Sequence, residues 1–172
     1  MRNTLKAAAV VAMICALNAA PASAQATGSV NVTARVLAAL SLTSYNTLAF
    51  GNIVVGSNAT VAPTAAGAGS IQTAGTAGQT VLVTITPGTF AGVNAPTFSA
   101  TYANQSATVA GAPNCTTAAV YAGSLTNAPF VLGGVFPAAG YHNFCVGGTV
   151  STVGTTAPGN YSTTVDFSVV YQ

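Results

Sequence analysis

The chain has 172 residues, of which 51% are hydrophobic and only 2% charged: three Lys or Arg and one acidic residue, with one histidine besides. Nucleic-acid binding needs clustered Arg and Lys, so this composition argues against it. One acidic residue also excludes a catalytic carboxylate pair. A net charge near zero in a chain rich in apolar residues favours association between copies, with a stable secreted β-protein as the alternative.

Residues 1–24 have the pattern of an export signal. Arg2 and Lys6 precede the short apolar run from Ala7 to Leu17, and residues 22–24 read Ala-Ser-Ala. A basic start, a short apolar run and a small-x-small site are typical of a cleavable signal peptide. We therefore expect export and cleavage before Gln25. The apolar run is too short for a membrane span.

The rest of the chain predicts short strands and no amphipathic helix. Gly and Pro interrupt runs rich in Val and Thr about every ten residues, which is typical of a sandwich or barrel. The first run, residues 28–36, alternates Val and Ala with polar residues. The other predicted strands are 37–43, 48–50, 53–55, a weak one at 70–73, 79–86, 97–102, 118–122, 130–132 and 141–146. Residues 104–128 are predicted to be mostly loop.

The cysteines and the histidine favour structural roles. Cys115 and Cys145 are the pair that remains after residue 24, and an even pair in an exported chain predicts a disulfide. With one His and no C-x-x-C, we expect no metal site and no cofactor. His142 is predicted to be at the surface or half buried, and the chain is not expected to be an enzyme.

Residues 159–172, GNYSTTVDFSVVYQ, form the clearest strand pattern. Odd positions from Tyr161 to Tyr171 are mostly apolar or aromatic, whereas most even positions are polar. This period of two predicts a strand with one buried and one wet face. The strand has to pair with something, because a long, nearly uncharged strand edge otherwise aggregates.

The two ends of the chain together resemble subunits of bacterial pili assembled by the chaperone–usher route, including the archaic branch related to spore-coat protein U. Tyr171 is the penultimate residue and Gly159 lies fourteen places from the end, a pair that resembles the family's chaperone-recognition signature. The start, ATGSVNVTARVLAALSLTSYNTLAFGNI, resembles the family's N-terminal extension and first strand. Many relatives carry a cysteine in that strand, where this chain has Leu40 or its neighbours.

The resemblance implies an all-β fold: an incomplete immunoglobulin-like β-sandwich that a donor strand from a neighbouring subunit completes. It divides the chain into a signal peptide (1–24), a donor-strand extension (25–35) and a pilin-type domain (36–172). The expected donor residues are Ala26, Gly28, Val30, Val32 and Ala34. The expected groove residues are Val36, Leu40, Leu42, Val165, Phe167, Val169 and Tyr171.

The function that follows from this resemblance is a structural subunit of a Gram-negative surface pilus that supports adhesion or biofilm formation. Its partners are copies of itself, joined head to tail, and a periplasmic chaperone and an outer-membrane usher during assembly. No nucleic acid or small-molecule substrate is expected. The alternative is a secreted or periplasmic monomeric β-sandwich binding module, in which residues 26–34 pair within their own chain.

Overall fold

The computed structural model describes residues 27–123 and 125–172. The predicted signal peptide and Ala26 lie outside these residues. The chain divides into two units, residues 1–35 and 36–172. In the first, residues 27–35 form no strand, and the side chains of Val30 and Val32 are 88% and 89% exposed. The strand predicted at 28–36 is therefore absent, since an alternating pattern becomes a strand only when a neighbouring strand bonds to it.

The described part of the second unit is built of β-strands, so the all-β prediction is confirmed. A single turn of 3₁₀ helix, Cys115–Thr117, is the helical element among these residues. The strands are β1 (Ser41–Asn46), β2 (Asn58–Val61), β3 (Gly69–Thr76), β4 (Thr80–Pro87), β5 (Thr97–Ala107), β6 (Ala119–Tyr121), β7 (Ala128–Val131), β8 (Ala139–Ser151) and β9 (Val165–Tyr171). No helix in the described residues is long and apolar enough to cross a bilayer.

The strands form two antiparallel sheets. The large sheet has the order β1-β3-β8-β5-β6, and β2 pairs with the end of β8 beyond β3. The small sheet has the order β7-β4-β9. One apolar cluster joins their inner faces, which makes the unit a two-layer β-sandwich. Its buried members are Val81, Val83, Ile85, Leu125, Ala128, Phe130, Leu132 and Phe144.

Strand β8 is the centre of the large sheet and is longer than the predicted strand 141–146. Gly147 and Gly148 end the predicted run, because glycine normally marks a turn. In the fold they keep the strand going, since a Cβ at Gly147 would strike the backbone of Val61 and one at Gly148 would strike Ser99. These glycines let neighbouring backbones approach closely.

The predicted strand 48–50 is wrong. The ladder between β1 and β3 loses its regular register between Ser44 and Asn46, and the chain then leaves the sheet. Leu48 packs near Gly69, and the ring of Phe50 lies 5.9 Å from that of Phe98. Leu48 and Phe50 line a groove at the surface of the domain, so their apolar character reflects that groove and not a strand.

The predicted disulfide is confirmed. Cys115 in the 3₁₀ turn is bonded to Cys145 on β8, and both are buried. Gln72 holds the segment before the turn onto the same sheet: its amide nitrogen donates to the carbonyl of Val109 (3.1 Å) and its amide oxygen accepts from the N–H of Gly111 (3.2 Å). The bond spans 30 positions of sequence. A loop of that size corresponds to about 3–4 kcal/mol of stabilisation by chain entropy.

His142 is a core residue, so its predicted place at the surface or half buried is wrong. It is 5% exposed, and its ring lies 4.9 Å from that of Phe130 and 5.0 Å from that of Phe144. Its two nitrogens lie within hydrogen-bond distance of Val131 O and Asn104 Oδ1. Burial lowers the pKa of His142 below its usual 6.5, against a smaller opposing effect of the Val131 carbonyl.

Acid is therefore expected to destabilise the fold through His142. Because the folded-state pKa lies below the unfolded value, the unfolded chain binds more protons below about pH 6.5, and stability falls as the pH drops from there. Urea midpoints at about pH 7.5 and pH 5 measure the effect. The variant His142→Gln should show a flatter dependence. Equal slopes for the two chains would contradict the assignment.

Candidate functional site

Strand β9 has one paired edge and one open edge. It pairs with β4 along Val165–Tyr171 and is the terminal strand of the small sheet in the described residues. The carbonyl of Thr164 accepts from Gly88 N (2.8 Å), and Gln172 N donates to Thr80 O (3.1 Å), so even-numbered residues point their backbone groups at β4. In an antiparallel ladder the alternate residues point the other way. The N–H and C=O groups of the odd residues, such as Phe167 and Val169, therefore face the open edge.

A groove of about 760 Å³, here called the edge groove, lies beside the first half of β9. One wall is the stretch 46–53 that leaves β1, and the other is the stretch 156–165 together with Phe167. Ile71, Val146 and Val150 contribute apolar side chains from the large sheet. The groove therefore lies between the terminal strands of the two sheets. A further strand at this place would fill the groove.

Aromatic rings line one end of the edge groove. The rings of Phe90 and Phe98 are 6.2 Å apart, and those of Phe90 and Tyr161 are 6.0 Å apart. The Tyr161 hydroxyl donates to the carbonyl of Ala157 (2.7 Å). Sequence analysis missed these residues as groove residues, because Phe98 and Tyr161 lie in the runs 97–102 and 159–172 that were predicted as strands, and Phe90 lies in a loop. The usable signal was aromatic residues close to Gly or Pro among small residues.

The other end of β9 is closed by Tyr171. Its hydroxyl donates to the carbonyl of Ala38 (2.7 Å) and accepts from the N–H of Thr76 (2.8 Å). Ala38 N in turn donates to Oγ1 of Thr76 (2.7 Å), and Leu40 packs close to Gly75 at the same place. The penultimate aromatic residue therefore ties the start of the domain across to the small sheet.

Five of the seven residues predicted for the groove pack on one apolar cluster, but only Val165 and Phe167 line the edge groove. Those on β9 share the inner face and pack half-buried against the core: Val165, Phe167, Val169 and Tyr171. Leu40 joins the same core, and Leu42, opposite the inward-facing Thr73, is 39% exposed. Val36 is 87% exposed and is not brought to this surface. Gly159 lines the aromatic end of the groove.

The last strand is shorter than predicted. The pattern begins at Gly159, but the strand begins at Val165, opposite Pro87 at the end of β4. The bond from the N–H of Gly88 to the carbonyl of Thr164 is the last along the ladder between β4 and β9. Residues 159–164 instead form a wall of the edge groove.

The chemistry of the described residues is that of a surface for apolar contacts and backbone hydrogen bonds. They include no group of three or more His, Cys, Asp or Glu arranged to hold a metal ion. The site consists of half-buried valine and aromatic side chains and of the backbone N–H and C=O groups of β9 that face the open edge.

Loss of the Tyr171 hydroxyl is expected to destabilise the domain. Tyr171→Phe removes two hydrogen bonds and leaves the N–H of the buried Thr76 without this partner. At about 1 kcal/mol net per bond, unfolding in urea should show a loss of about 1–3 kcal/mol. Tyr161→Phe is the matched control, because its single bond is exposed. Equal losses in the two variants would contradict the bridging role.

The fold and the groove define a two-layer β domain with an open strand edge. The chain belongs to the family described as "Domain of unknown function (DUF4402)", whose model matches residues 40–171. The matched residues run from just before β1 to the end of β9 and so include both walls of the edge groove. Neither the curated proteins nor the solved structures contain a match to this chain.

Proposed function

We propose that this chain is a structural subunit of a surface pilus of a Gram-negative bacterium, and that it polymerises by donating a strand. Its domain, residues 36–172, is an incomplete immunoglobulin-like sandwich. Residues 25–35 of a neighbouring copy form the donor strand, which pairs with the open edge of β9 beside the edge groove. The observation that carries the proposal is that β9 presents unpaired backbone groups beside an apolar groove.

The donor segment has the complementary properties. Val30 and Val32 alternate with polar residues, and both are almost fully exposed. Small residues, Gly28 and Ala34, flank them in the same phase. When this segment lies along β9, its valines face the inner side of the sandwich and its Asn and Thr side chains stay in water.

The energy of such a link is sufficient for a durable fibre. A buried valine contributes roughly 1.5–3 kcal/mol and a backbone hydrogen bond about 1 kcal/mol net. A donor of about eight residues then contributes on the order of 10 kcal/mol before the cost of ordering it. The contact joins different surfaces of the two copies, so it does not close on itself and grows a filament.

The resemblance at the two ends of the chain supports the rest of the pathway. A periplasmic chaperone covers the open edge before assembly, an outer-membrane usher exports the subunit, and Gly159 and Tyr171 belong to the segment that the chaperone recognises. In this account the protein is no enzyme and holds no cofactor. The fibre is displayed at the cell surface and supports adhesion or biofilm formation.

Replacing residues 25–35 tests the proposal. Two chains are compared in cells that produce the fibre: the natural one, and one in which residues 25–35 become a Gly/Ser segment of equal length. Electron microscopy of sheared surface material should show fibres only for the natural chain, with equal amounts of folded subunit in the periplasm. If the replaced chain unfolds as a monomer, residues 26–34 complete their own sandwich, and the secreted binding module is the better account.

A further inference from the structure

Two charged side chains stand out in the part of the chain that follows the predicted signal peptide. Arg35 is its only Arg or Lys, and Asp166 is the only acidic residue of the whole chain. Both side chains are exposed. Arg35 lies just after the donor residues and in phase with their polar side, and Asp166 lies on the polar face of β9.

We propose, on the basis of the function above, that the donor strand runs antiparallel to β9 of the next copy in the register that places Arg35 opposite Asp166. The direction follows from the two ends of β9. The Tyr171 end is tied to Ala38 and Thr76, whereas the Val165 end adjoins the edge groove with its aromatic rings. The body of the donor copy follows the donor strand along the chain and needs the room at the Val165 end, so the donor points its N-terminus toward Tyr171.

This register matches apolar residues on the inner face. With Arg35 opposite Asp166, Val32 lies opposite Val169 and Ala34 opposite Phe167, and Val36 falls opposite Val165. The exposed Val36 then belongs to the donor strand and not to the groove that receives it. A shift of one residue would turn the valines outward, and a shift of two would keep them inward but separate the charges.

The alternation of backbone hydrogen bonds along β9 places Arg35 and Asp166 close together in this register. Odd residues of β9 point their N–H and C=O groups at the open edge, so the inward pairs such as Val32 and Val169 are the hydrogen-bonded ones. The outward pairs, Arg35 with Asp166 and Thr33 with Ser168, are then non-hydrogen-bonded pairs, in which the Cα atoms approach to about 4.5 Å. That spacing suits both a salt bridge and a disulfide.

Disulfide trapping in assembled fibres measures the register. A chain carrying both Thr33→Cys and Ser168→Cys should give a ladder of covalent multimers on a non-reducing denaturing gel. Two chains shifted by two residues serve as controls, Thr33→Cys with Val170→Cys and Asn31→Cys with Ser168→Cys. All the substituted side chains except Val170, itself 52% exposed, are polar residues on the outer face. We expect the ladder of the first chain to exceed those of the controls at least tenfold.

The outcomes separate the register from the function. A stronger ladder in either shifted control, with fibres present, overturns the register and leaves strand donation standing. A bond formed within one chain, seen as a monomer of altered mobility, or the absence of fibres from all three chains together with the natural chain, overturns both.

As a second readout, Asp166→Arg should slow assembly by about two- to fivefold, as expected for an exposed ion pair, and Arg35→Asp in the same chain should restore it.

Discussion

A chain with Val32→Asp will fold but will not form fibres. Val32 is 89% exposed in the subunit, so the substitution leaves the thermal midpoint of the monomer unchanged. Opposite Val169 on the inner face of β9 in the next copy, the new carboxylate would be buried against apolar side chains without a partner. Such burial costs several kcal/mol, which lowers the association constant on the order of a thousandfold. Sedimentation of assembled material and electron microscopy measure the loss.

The neighbouring substitution Asn31→Asp is the matched control. It adds the same charge one residue away, on the side of the donor that stays in water, and is nearly isosteric with the natural residue. Its fibres should form within a few-fold of the natural rate. If both variants assemble alike, Val32 is not buried against β9, and the assignment of the donor segment is wrong.

A subunit that carries its own donor strand should be more stable and unable to polymerise. In this variant residues 25–35 are deleted, and a copy of residues 26–36 follows Gln172 through a short Gly/Ser turn. The turn places the added strand antiparallel to β9 at its open edge. Even a net gain of about 3 kcal/mol would raise the thermal midpoint by about 10 °C in a domain of this size. The same variant with Val30→Ser and Val32→Ser in the added strand is its control.

Calorimetry and size-exclusion chromatography distinguish the outcomes of that experiment. We expect a high midpoint and a monomer for the first variant, and a midpoint near that of the deleted subunit for the serine control. Equal midpoints for the two variants would show that the apolar face of the added strand finds no groove. Fibres from the first variant would show that assembly uses some other surface.

The sequence predicted the features that depend on local pattern. The inner face of β9, the strand β4 and the disulfide all follow from alternation or from the pairing of two cysteines. Features set by distant neighbours escaped prediction. The length of β8 depends on the backbones of β2 and β5 that approach Gly147 and Gly148, and the burial of His142 depends on the rings of Phe130 and Phe144.

The candidate site was predicted in part for the same reason. Alternation identified the half-buried side chains of β9, but the aromatic end of the edge groove combines Phe98 of β5 with Phe90 and Tyr161, which lie outside the strands and are distant in sequence. The exposed position of Val36 likewise has no local signal, because its alternation continues that of Val30 and Val32. Pattern identifies which face of a strand is apolar, and only the fold shows whether that face is covered.

Hydrogen exchange along β9 is the most direct test of an edge that another copy completes. In the subunit without residues 25–35, the amides of Phe167 and Val169 should exchange fast, while those of Ser168 and Val170, which point at β4, should be protected. In fibres, dissolved after exchange for residue-resolved NMR, all four should be protected, with the odd residues slowed by at least about a hundredfold. Slow exchange at Phe167 and Val169 in the isolated subunit, or fast exchange at both in fibres, would contradict the account.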